Sequence, residues 1–541
     1  MQKKTIIALA LAAIFIAQDA MAQDICTAPV KTESGLLKGA DETSTRTCVW
    51  RGVPFAAAPI GDLRWKAPQP AKNWGGVREA ASWGHRCMQT GLMDKFNVDP
   101  SGAMSEDCLF LNIWRPKKDG KFPVMVWIHG GAYTGGTANT PMYWGDRLSE
   151  AGGVVVVTIN YRLNVFGFLA LPALAKEDPN KSTGSYGSLD QVAALKWVQK
   201  NIANFGGDPG NVTIFGESAG GQSVYTLVAS PLAKGLFQRA IVESGRSDAS
   251  LSLETGFGHG KTIAKQFGCD EGDLSCVRKI PAQKLLEVVK GGLEGSSFQP
   301  HHDGYFLEGT ARSMISSGKY NRVPVLAGSN KNEIDIFSAF RRELRSPKPE
   351  DYQKLLQELL EVQAPEAHRI QSAYPLSMFE NSPKNAFGRM ATDFRMGCPT
   401  YTGLTAASKF QGDLYYYRFD FSDIRLGEYL GAVHTLEIPF VFNTMDRMPM
   451  KALLKNQNSA EMAKLSRTMQ GYWVNFARTG NPNGPGLPDW PGFELKSQTM
   501  MVFDKTVRPM PSGIADRCAL WDDYSKNHPG KIELLAKPKK K

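Results

Sequence analysis

Short apolar runs that alternate with helical segments are the feature that most constrains how this chain can fold. The runs VMVWIHGG (124–131), VVVVTINYR (154–162), NVTIFG (211–216) and RVPVLAGS (322–329) suit buried strands. SLDQVAALKWVQKNI (188–202) spaces its apolar residues by three or four, which is the period of a helix. Strands that alternate with helices predict an α/β fold with a largely parallel sheet covered on both faces. In such sheets the functional groups gather in loops at the carboxyl ends of the strands.

The N-terminal residues have the pattern of a secretory signal peptide. Two lysines, Lys3 and Lys4, precede an apolar run from Thr5 to Ala17, and Ala20-Met21-Ala22 follows as a small-residue cleavage pattern. We therefore expect residues 1–22 to be removed and the mature protein to be exported to the periplasm or secreted. The apolar run is too short to span a bilayer, and no other segment predicts a membrane span.

Composition places the chain among ordinary globular proteins, since 42% of its 541 residues are hydrophobic and 21% are charged. The formal net charge is +10, but the basic residues are dispersed except in KPKKK (537–541). No aromatic–basic interleaving is present, so we predict no nucleic-acid partner.

An even number of cysteines follows the signal peptide, which predicts disulfide bonds. The eight are Cys26, Cys48, Cys87, Cys108, Cys269, Cys276, Cys398 and Cys518. Their spacing alone leaves the pairing open. A metal site is the weaker interpretation, because no C-x-x-C occurs and no histidine cluster lies near a cysteine.

A G-x-S-x-G pattern, Gly216-Glu217-Ser218-Ala219-Gly220, follows the strand at 211–216. Its glycines permit a sharp strand-to-helix turn that would lift the Ser218 hydroxyl clear of the backbone, next to a helix N-terminus. The alternative is that the glycines only form a turn and that Ser218 has no catalytic role. A serine nucleophile also needs a base, an acid that orients the base, and donors for the oxyanion.

Candidate oxyanion donors follow the strand at 124–128, in the stretch His129-Gly130-Gly131-Ala132. Paired glycines at a strand end allow the N–H groups of Gly130 and Gly131 to point into a cavity, where the N–H of Ala219 would join them. This stretch could also be only a glycine turn. The nucleophile hypothesis, however, requires a G-x-S-x-G turn together with a donor loop, and the sequence contains both. We interpret His129 as a residue that shapes the loop rather than as a base.

The base and the acid should follow the nucleophile in the order serine, acid, histidine. His434 lies in a small-residue loop, GAVHTLEIPFVF, and is one candidate base; His301 and His302 are its main rivals. Glu333 lies in AGSNKNE, just past the strand at 323–327, and is a candidate acid. The residues alone leave Asp303 and Asp335 as open alternatives.

Two longer stretches resemble signatures of the type-B carboxylesterases, relatives of the cholinesterases within the α/β-hydrolase fold. They are FGGDPGNVTIFGESAG (205–220) and EDCLFLNIWRP (106–116). Shorter matches, among them WRGVPFAAAPIGDLRWKAPQP (50–70) and WVNFARTGNPN (473–483), extend the resemblance over most of the mature chain. The resemblance implies one α/β-hydrolase domain over residues 23–541, with a large, mostly parallel central sheet flanked by helices.

The same resemblance assigns roles to residues that the patterns left ambiguous. The family's acid stands five residues after a strand-end glycine, as Glu333 does after Gly328, and its histidine stands in a G-x-x-H stretch, as His434 does. The implied enzyme is a carboxylic ester hydrolase that forms an acyl-enzyme on a small-molecule ester, without a metal or cofactor. Its catalytic triad and oxyanion donors would be Ser218, Glu333 and His434, and Gly130, Gly131 and Ala219.

Family pairing further implies the disulfides Cys87–Cys108, Cys269–Cys276 and Cys398–Cys518, which leaves Cys26 to pair with Cys48. The chain departs from the family in GSYGSLDQ (184–191), where Ser185 and Ser188 replace Asn and Leu. It also lacks a counterpart of the choline-binding tryptophan, so cholinesterase activity is not expected.

Two other functions are compatible with the same fold. An amidase or acyltransferase would use the same triad and differ in the acyl acceptor, which the sequence does not reveal. A non-catalytic binding protein, as among the neuroligins, would lack the nucleophile, whereas all three triad positions are occupied here.

Overall fold

The computed structural model describes residues 24–90, 99–290, 298–338, 342–344, 347–448 and 459–528. The expected signal peptide, residues 1–22, and the basic stretch 537–541 lie outside the described residues.

An eleven-stranded sheet forms the centre of the described structure. In chain order its strands are β1 (Ala40–Glu42), β2 (Thr47–Pro54), β3 (Phe110–Pro116), β4 (Phe122–Ile128), β5 (Val155–Ile159), β6 (Gly207–Glu217), β7 (Arg239–Glu243), β8 (Val325–Asn330), β9 (Leu414–Phe419), β10 (Thr499–Phe503) and β11 (Arg508–Pro511). Their spatial order is β11-β10-β9-β8-β7-β6-β4-β5-β3-β2-β1. Strands β4 to β10 run parallel to their neighbours within that block, and the strands at both edges pair antiparallel. The sheet confirms the α/β class and the mostly parallel arrangement predicted from the sequence.

The central strands are buried on both faces, which explains why they read as continuous apolar runs. Along β4, Met125 and Trp127 pack into one core layer, whereas Val124, Val126 and Ile128 pack into the other. Successive side chains of a strand point to opposite faces, so each strand contributes to both layers.

Helices cover both faces of the sheet. Those of eight residues or more are Tyr186–Asn201, Ala219–Ala229, Leu253–Gln266, Ala282–Lys290, Tyr352–Leu360, Ala364–Ala373, Pro383–Thr392, Cys398–Ala407, Ala460–Thr479 and Ala515–Asn527. Shorter ones are Asp146–Gly152, Asn164–Phe168, Pro172–Glu177, Leu274–Lys279, Ala311–Ser316, Asp335–Ser338, Gly427–Leu430 and Ile438–Phe442. Among the residues described, no helix combines the length and apolar character needed to cross a membrane.

Short strands form three small sheets outside the central one. Val30–Lys31, Leu36–Lys38 and Val77–Glu79 make a three-stranded sheet. Arg86–Cys87 pairs with Met104–Ser105, and Leu251–Ser252 pairs with His301–His302.

Four disulfides join the same pairs of cysteines that the resemblance implied. They are Cys26–Cys48, Cys87–Cys108, Cys269–Cys276 and Cys398–Cys518. The last of these connects helix Cys398–Ala407 to helix Ala515–Asn527 and closes a loop with a sequence separation of 120 residues.

The difference in loop length predicts unequal stabilisation by two of these disulfides. Replacing both Cys398 and Cys518 by serine should lower the free energy of unfolding by about 5 kcal/mol, because a long loop is released in the unfolded chain. The matched control replaces Cys269 and Cys276, whose separation is 7 residues, and should cost only about 2.5 kcal/mol. Urea titration measures both losses, and equal losses would contradict the argument from loop length.

Candidate active site

Ser218 lies on a sharp turn between β6 and helix Ala219–Ala229. Its backbone has φ +57° and ψ −122°, a conformation that side-chain-bearing residues rarely adopt. The N–H of Ser218 donates a 3.0 Å hydrogen bond to the carbonyl oxygen of Glu243 at the end of β7. Ser218 is partly exposed, whereas its neighbours from Val212 through Ala229 are buried. The turn therefore presents this one side chain to solvent.

The two glycines of the pattern are required by close backbone packing. A Cβ atom on Gly220 would lie 1.9 Å from the carbonyl oxygen of Ile128, and one on Gly216 would lie 2.5 Å from the same atom. Neither distance is sterically possible, so only glycine lets the start of the helix approach the end of β4.

The loop after β4 brings Gly130 and Gly131 next to the serine. A Cβ atom built on Gly130 would lie 3.1 Å from the Cβ of Ser218. Gly131 has φ +108°, and a Cβ there would lie 2.2 Å from the carbonyl oxygen of Gly135. The N–H groups of Gly130, Gly131 and Ala219 have no hydrogen-bond acceptor in the part of the chain that the structure describes. All three lie at the carboxyl ends of β4 and β6.

His129 supports this loop from the interior. Its Nδ1 lies 2.8 Å from the carbonyl oxygen of Gly130, and its ring stacks on Tyr161 at 4.5 Å between centroids. Burial lowers the pKa of His129 to about 4, so the ring is neutral near pH 7.

Gln89 holds the same loop from the side of the Cys87–Cys108 disulfide. Its Nε2 donates to the carbonyl oxygen of Gly136 at 2.9 Å, and its Oε1 accepts from the N–H of Gly136 at 3.0 Å. The disulfide-closed segment and the glycine loop are thus joined by two hydrogen bonds from one side chain.

His434 and Glu333 form a buried hydrogen-bonded pair. Nδ1 of His434 lies 2.6 Å from Oε2 of Glu333. The other carboxylate oxygen of Glu333 accepts from the hydroxyl of Ser244 at 2.5 Å and from the N–H of Asn330 at 2.7 Å. Each carboxylate oxygen therefore has at least one donor, and the orientation of the carboxylate is determined by three elements.

The loop that carries His434 is attached to the loop that carries Glu333. Asn332 donates its N–H to the carbonyl oxygen of Ala432 at 3.0 Å and accepts the N–H of Ala432 on its side-chain oxygen at 3.1 Å. Gly431 precedes this contact with φ +67°, and a Cβ there would lie 2.1 Å from the side chain of Asn332. These contacts between the two loops fix the position of the imidazole relative to the carboxylate.

The rival residues make other contacts. Nδ1 of His301 lies 2.7 Å from the carbonyl oxygen of Gly184, and Nε2 of His302 lies 2.6 Å from the hydroxyl of Ser250. Asp303 accepts the hydroxyl of Ser182 and the N–H groups of residues 305–307. Asp335 accepts the side-chain amide of Asn332 at 3.0 Å. The structure therefore pairs His434 with Glu333 rather than with either aspartate.

Two further buried glutamates, Glu217 and Glu437, act on the imidazole, and a third, Glu243, is paired with Glu217 on the neighbouring strand; the sequence reasoning singled out none of them. Oε1 of Glu217 lies 3.1 Å from Nε2 of His434. Glu437 accepts the side-chain amide of Asn330 at 2.5 Å, and Glu243 accepts the indole N–H of Trp473 at 2.8 Å. Their positions in the sequence could have pointed to them, because Glu217 and Glu243 are the last residues of parallel strands and Glu437 lies three residues after His434.

These carboxylates control the charge on the imidazole. Burial alone would lower the pKa of His434, but the charges on Glu217, Glu333 and Glu437 outweigh burial and raise that pKa to about 10. Burial in turn raises the pKa of Glu217 and of Glu243 well above the usual range, and that of Glu437 to about 7. Within the described ranges, no three His, Cys, Asp or Glu side chains are grouped as ligands for a metal ion.

Comparison with known sequences finds relatives among esterases. The carboxylesterase family profile matches residues 27–521. Para-nitrobenzyl esterase of Bacillus subtilis is 35% identical over 488 residues, which are 88% of this chain and 95% of that protein. Fumonisin B1 esterase of Sphingopyxis macrogoltabida is 36% identical, over 88% of this chain and 86% of its own. Liver carboxylesterase 1 of Oryctolagus cuniculus is 37% identical, over 84% and 85% of the two chains.

Solved structures agree with the sequence comparison. A carboxylesterase of Geobacillus stearothermophilus superimposes with a TM-score of 0.79 at 36% identity, over 91% of this chain and 99% of that one. A thermophilic pNB esterase gives a TM-score of 0.78 at 33% identity over the same shares. The α/β-hydrolase fold expected from the two signatures is confirmed by these matches.

We expect removal of the Ser244 hydroxyl to have a measurable effect on turnover. Ser244→Ala removes one donor from the buried Glu333 carboxylate, and we expect kcat to fall by about 10-fold to 100-fold, because hydrogen bonds to charged groups contribute about 1.5–3 kcal/mol. Steady-state kinetics on a p-nitrophenyl ester measures the loss. The control is Ser247→Ala, a buried serine of the same loop whose hydroxyl donates only to the carbonyl oxygen of Pro399. An equal fall in both variants would assign the effect to the loop and not to Glu333.

Proposed function

Because this chain belongs to the carboxylesterase family and is a carboxylic ester hydrolase, we propose that Ser218, His434 and Glu333 cleave the ester through an acyl-enzyme. The observation that carries the proposal is the 2.6 Å contact between His434 and Glu333, at the same sheet edge as the strained and partly exposed Ser218. Nucleophile, acid and histidine follow one another along the chain in the order expected for this fold.

In the acylation half of the reaction, the neutral form of His434 removes the hydroxyl proton of Ser218 as the oxygen attacks the ester carbonyl. Because the surrounding carboxylates raise the pKa of the imidazole, the fraction of this neutral form increases as the pH rises. Negative charge develops on the carbonyl oxygen, where the N–H groups of Gly130, Gly131 and Ala219 donate to it. Each such donor contributes about 3–4 kcal/mol to transition-state stabilisation. His434 then protonates the leaving alcohol, and the acyl group remains on Ser218.

In the deacylation half, His434 removes a proton from water, which attacks the acyl-enzyme and releases the carboxylic acid. Glu333 keeps Nδ1 of the imidazole as the donor nitrogen and stabilises the imidazolium that forms in both halves. The Ser244 and Asn330 donors keep Glu333 itself in position.

The substrate class follows from the relatives. Para-nitrobenzyl esterase and fumonisin B1 esterase are named for small organic esters, and we infer a small-molecule carboxylic ester for this chain as well. We further propose that residues 23–541 form one exported domain after removal of residues 1–22, which the four disulfides support because such bonds persist in oxidising compartments.

The nucleophile assignment is tested by Ser218→Ala on p-nitrophenyl esters of graded acyl length. Without the hydroxyl no acyl-enzyme can form, so turnover should fall below about a thousandth of the wild-type value. Residual turnover above that level would contradict the assignment. The wild-type profile against acyl length also measures the size of the acyl pocket.

The acid assignment is tested by comparing two carboxylates. Glu333→Gln should lower kcat by about 10³-fold to 10⁴-fold, because an amide no longer stabilises the imidazolium and favours the wrong tautomer. Asp303→Asn, which changes a partly buried carboxylate that contacts Ser182 and the N–H groups of residues 305–307, should leave kcat near the wild-type value. The reverse result would move the acid to Asp303.

A further inference from the structure

A buried tyrosine, Tyr133, belongs to the same loop after β4 as two of the proposed oxyanion donors. Its side chain is 1% exposed, and its ring packs edge-on against Phe168 with 5.0 Å between the ring centroids. Its hydroxyl lies 3.2 Å from the hydroxyl of Ser223, which is fully buried in helix Ala219–Ala229. A pair of hydroxyl groups therefore joins the glycine loop to the helix that follows the nucleophile turn.

The other partners of Ser223 determine which hydroxyl of this pair is the donor. Oγ of Ser223 lies 2.9 Å from the carbonyl oxygen of Ala219, which can only accept, so the single hydroxyl proton of Ser223 is directed there. The side-chain amide of Gln191 donates to the same Oγ at 3.0 Å. Tyr133 therefore donates its own proton to the second lone pair of Ser223. With all of its hydrogen bonds used, the Ser223 hydroxyl has one orientation.

Both ends of this connection lie close to a proposed oxyanion donor. The carbonyl oxygen that accepts the Ser223 proton belongs to Ala219, whose own N–H is one of the three proposed donors. Tyr133 lies two residues after Gly131, and its backbone has φ +57°, which non-glycine residues rarely adopt. Its carbonyl oxygen accepts the N–H of Asn164 at 2.6 Å, so the backbone beside the loop donors is anchored as well.

Two other side chains hold the glycine loop from elements that carry none of the proposed donors. Tyr161 donates its hydroxyl to the carbonyl oxygen of His129 at 2.8 Å, and Gln89 makes its two hydrogen bonds from the disulfide-closed segment. Both contacts hold the loop, but neither reaches the helix that carries the third donor. The hydroxyl pair of Tyr133 and Ser223 reaches that helix, so it bears on the spacing of the donors.

We propose that Tyr133 is a positioning residue for the oxyanion hole, and that its hydroxyl, through Ser223, sets the spacing between the loop donors and the N–H of Ala219. Oxyanion donors act together only when all of them lie at hydrogen-bond distance from the same oxygen. A change in their spacing therefore weakens binding of the transition state more than binding of the substrate. This inference rests on the proposed function, because it takes the three N–H groups as the donors.

Tyr133→Phe tests the role of the hydroxyl, because it keeps the buried ring. We expect kcat on a p-nitrophenyl ester to fall by about 10-fold to 100-fold with KM near the wild-type value, since a displaced donor costs less than a deleted one. The matched control is Tyr186→Phe, a buried tyrosine whose hydroxyl lies 3.1 Å from that of Thr183. The control should retain wild-type kcat, and an equal fall in both variants would overturn the proposal.

A transition-state analogue separates the oxyanion hole from general damage to the site. An alkyl trifluoromethyl ketone adds to Ser218 and forms an oxyanion, whereas the matching trifluoromethyl alcohol binds without forming one. In Tyr133→Phe the inhibition constant of the ketone should rise by the same factor by which kcat/KM falls, and that of the alcohol should not change. If kcat falls while the ketone binds as tightly as before, the loss does not arise at the oxyanion donors and the proposal is wrong.

A double-mutant cycle tests whether Tyr133 acts through Ser223. Ser223→Ala should lower kcat at least as much as Tyr133→Phe does, and the double variant should lose nothing further. Additive losses would show that the two hydroxyls act independently, which contradicts the proposal. If Tyr133→Phe does not fold, the ketone and the alcohol are measured on Ser223→Ala, for which we expect the same difference between the two inhibitors.

Failure of the proposed function gives a different result. It would be seen as turnover retained by Ser218→Ala. If only the role of Tyr133 is wrong, Ser218→Ala is inactive while Tyr133→Phe retains wild-type kcat.

Discussion

The contact between the first turn of helix Ala219–Ala229 and the end of β4 is the constraint on which the site depends. Gly220 packs so closely against the carbonyl oxygen of Ile128 that no side chain fits between them. This approach forces Ser218 into its strained backbone conformation and brings the N–H of Ala219 beside the glycine loop that follows β4. The positions of the proposed nucleophile and of the proposed oxyanion donors therefore depend on one backbone contact, and the hydrogen bond from Ser218 to Glu243 connects the strained turn to the neighbouring strand β7.

Negative charge is the second organising property of the site. Four buried glutamates lie in this region: Glu217, Glu333 and Glu437 act on the imidazole of His434, and Glu243 is paired with Glu217 on the neighbouring strand. Among the four, Glu333 has hydrogen-bond partners on both of its carboxylate oxygens. The others have fewer donors, and burial raises their pKa values. The distribution of donors thus separates the carboxylate that contacts Nδ1 of His434 from the carboxyl groups whose pKa burial raises.

Local backbone chemistry explains which parts of this structure could be predicted from the sequence. The strands and the nucleophile turn were predictable because β-branched runs and glycines act over a few residues, as at Gly216 and Gly220. The choice of His434 over His301, and of Glu333 over Asp303, was not available from pattern alone and came from the family resemblance, because these side chains meet only through the fold. Glu243 was missed for the same reason: its relation to Glu217 is a matter of strand register. Ser244 could have been found by examining the carboxyl end of each parallel strand in turn.

The two hydrogen bonds between Gln89 and Gly136 connect the Cys87–Cys108 disulfide to the glycine loop after β4. Gln89 stands two residues after Cys87, which is bonded to Cys108, and its amide supports the loop of Gly130 and Gly131 through Gly136. The disulfide thus serves as a covalent support, two residues away, for the side chain that braces the glycine loop.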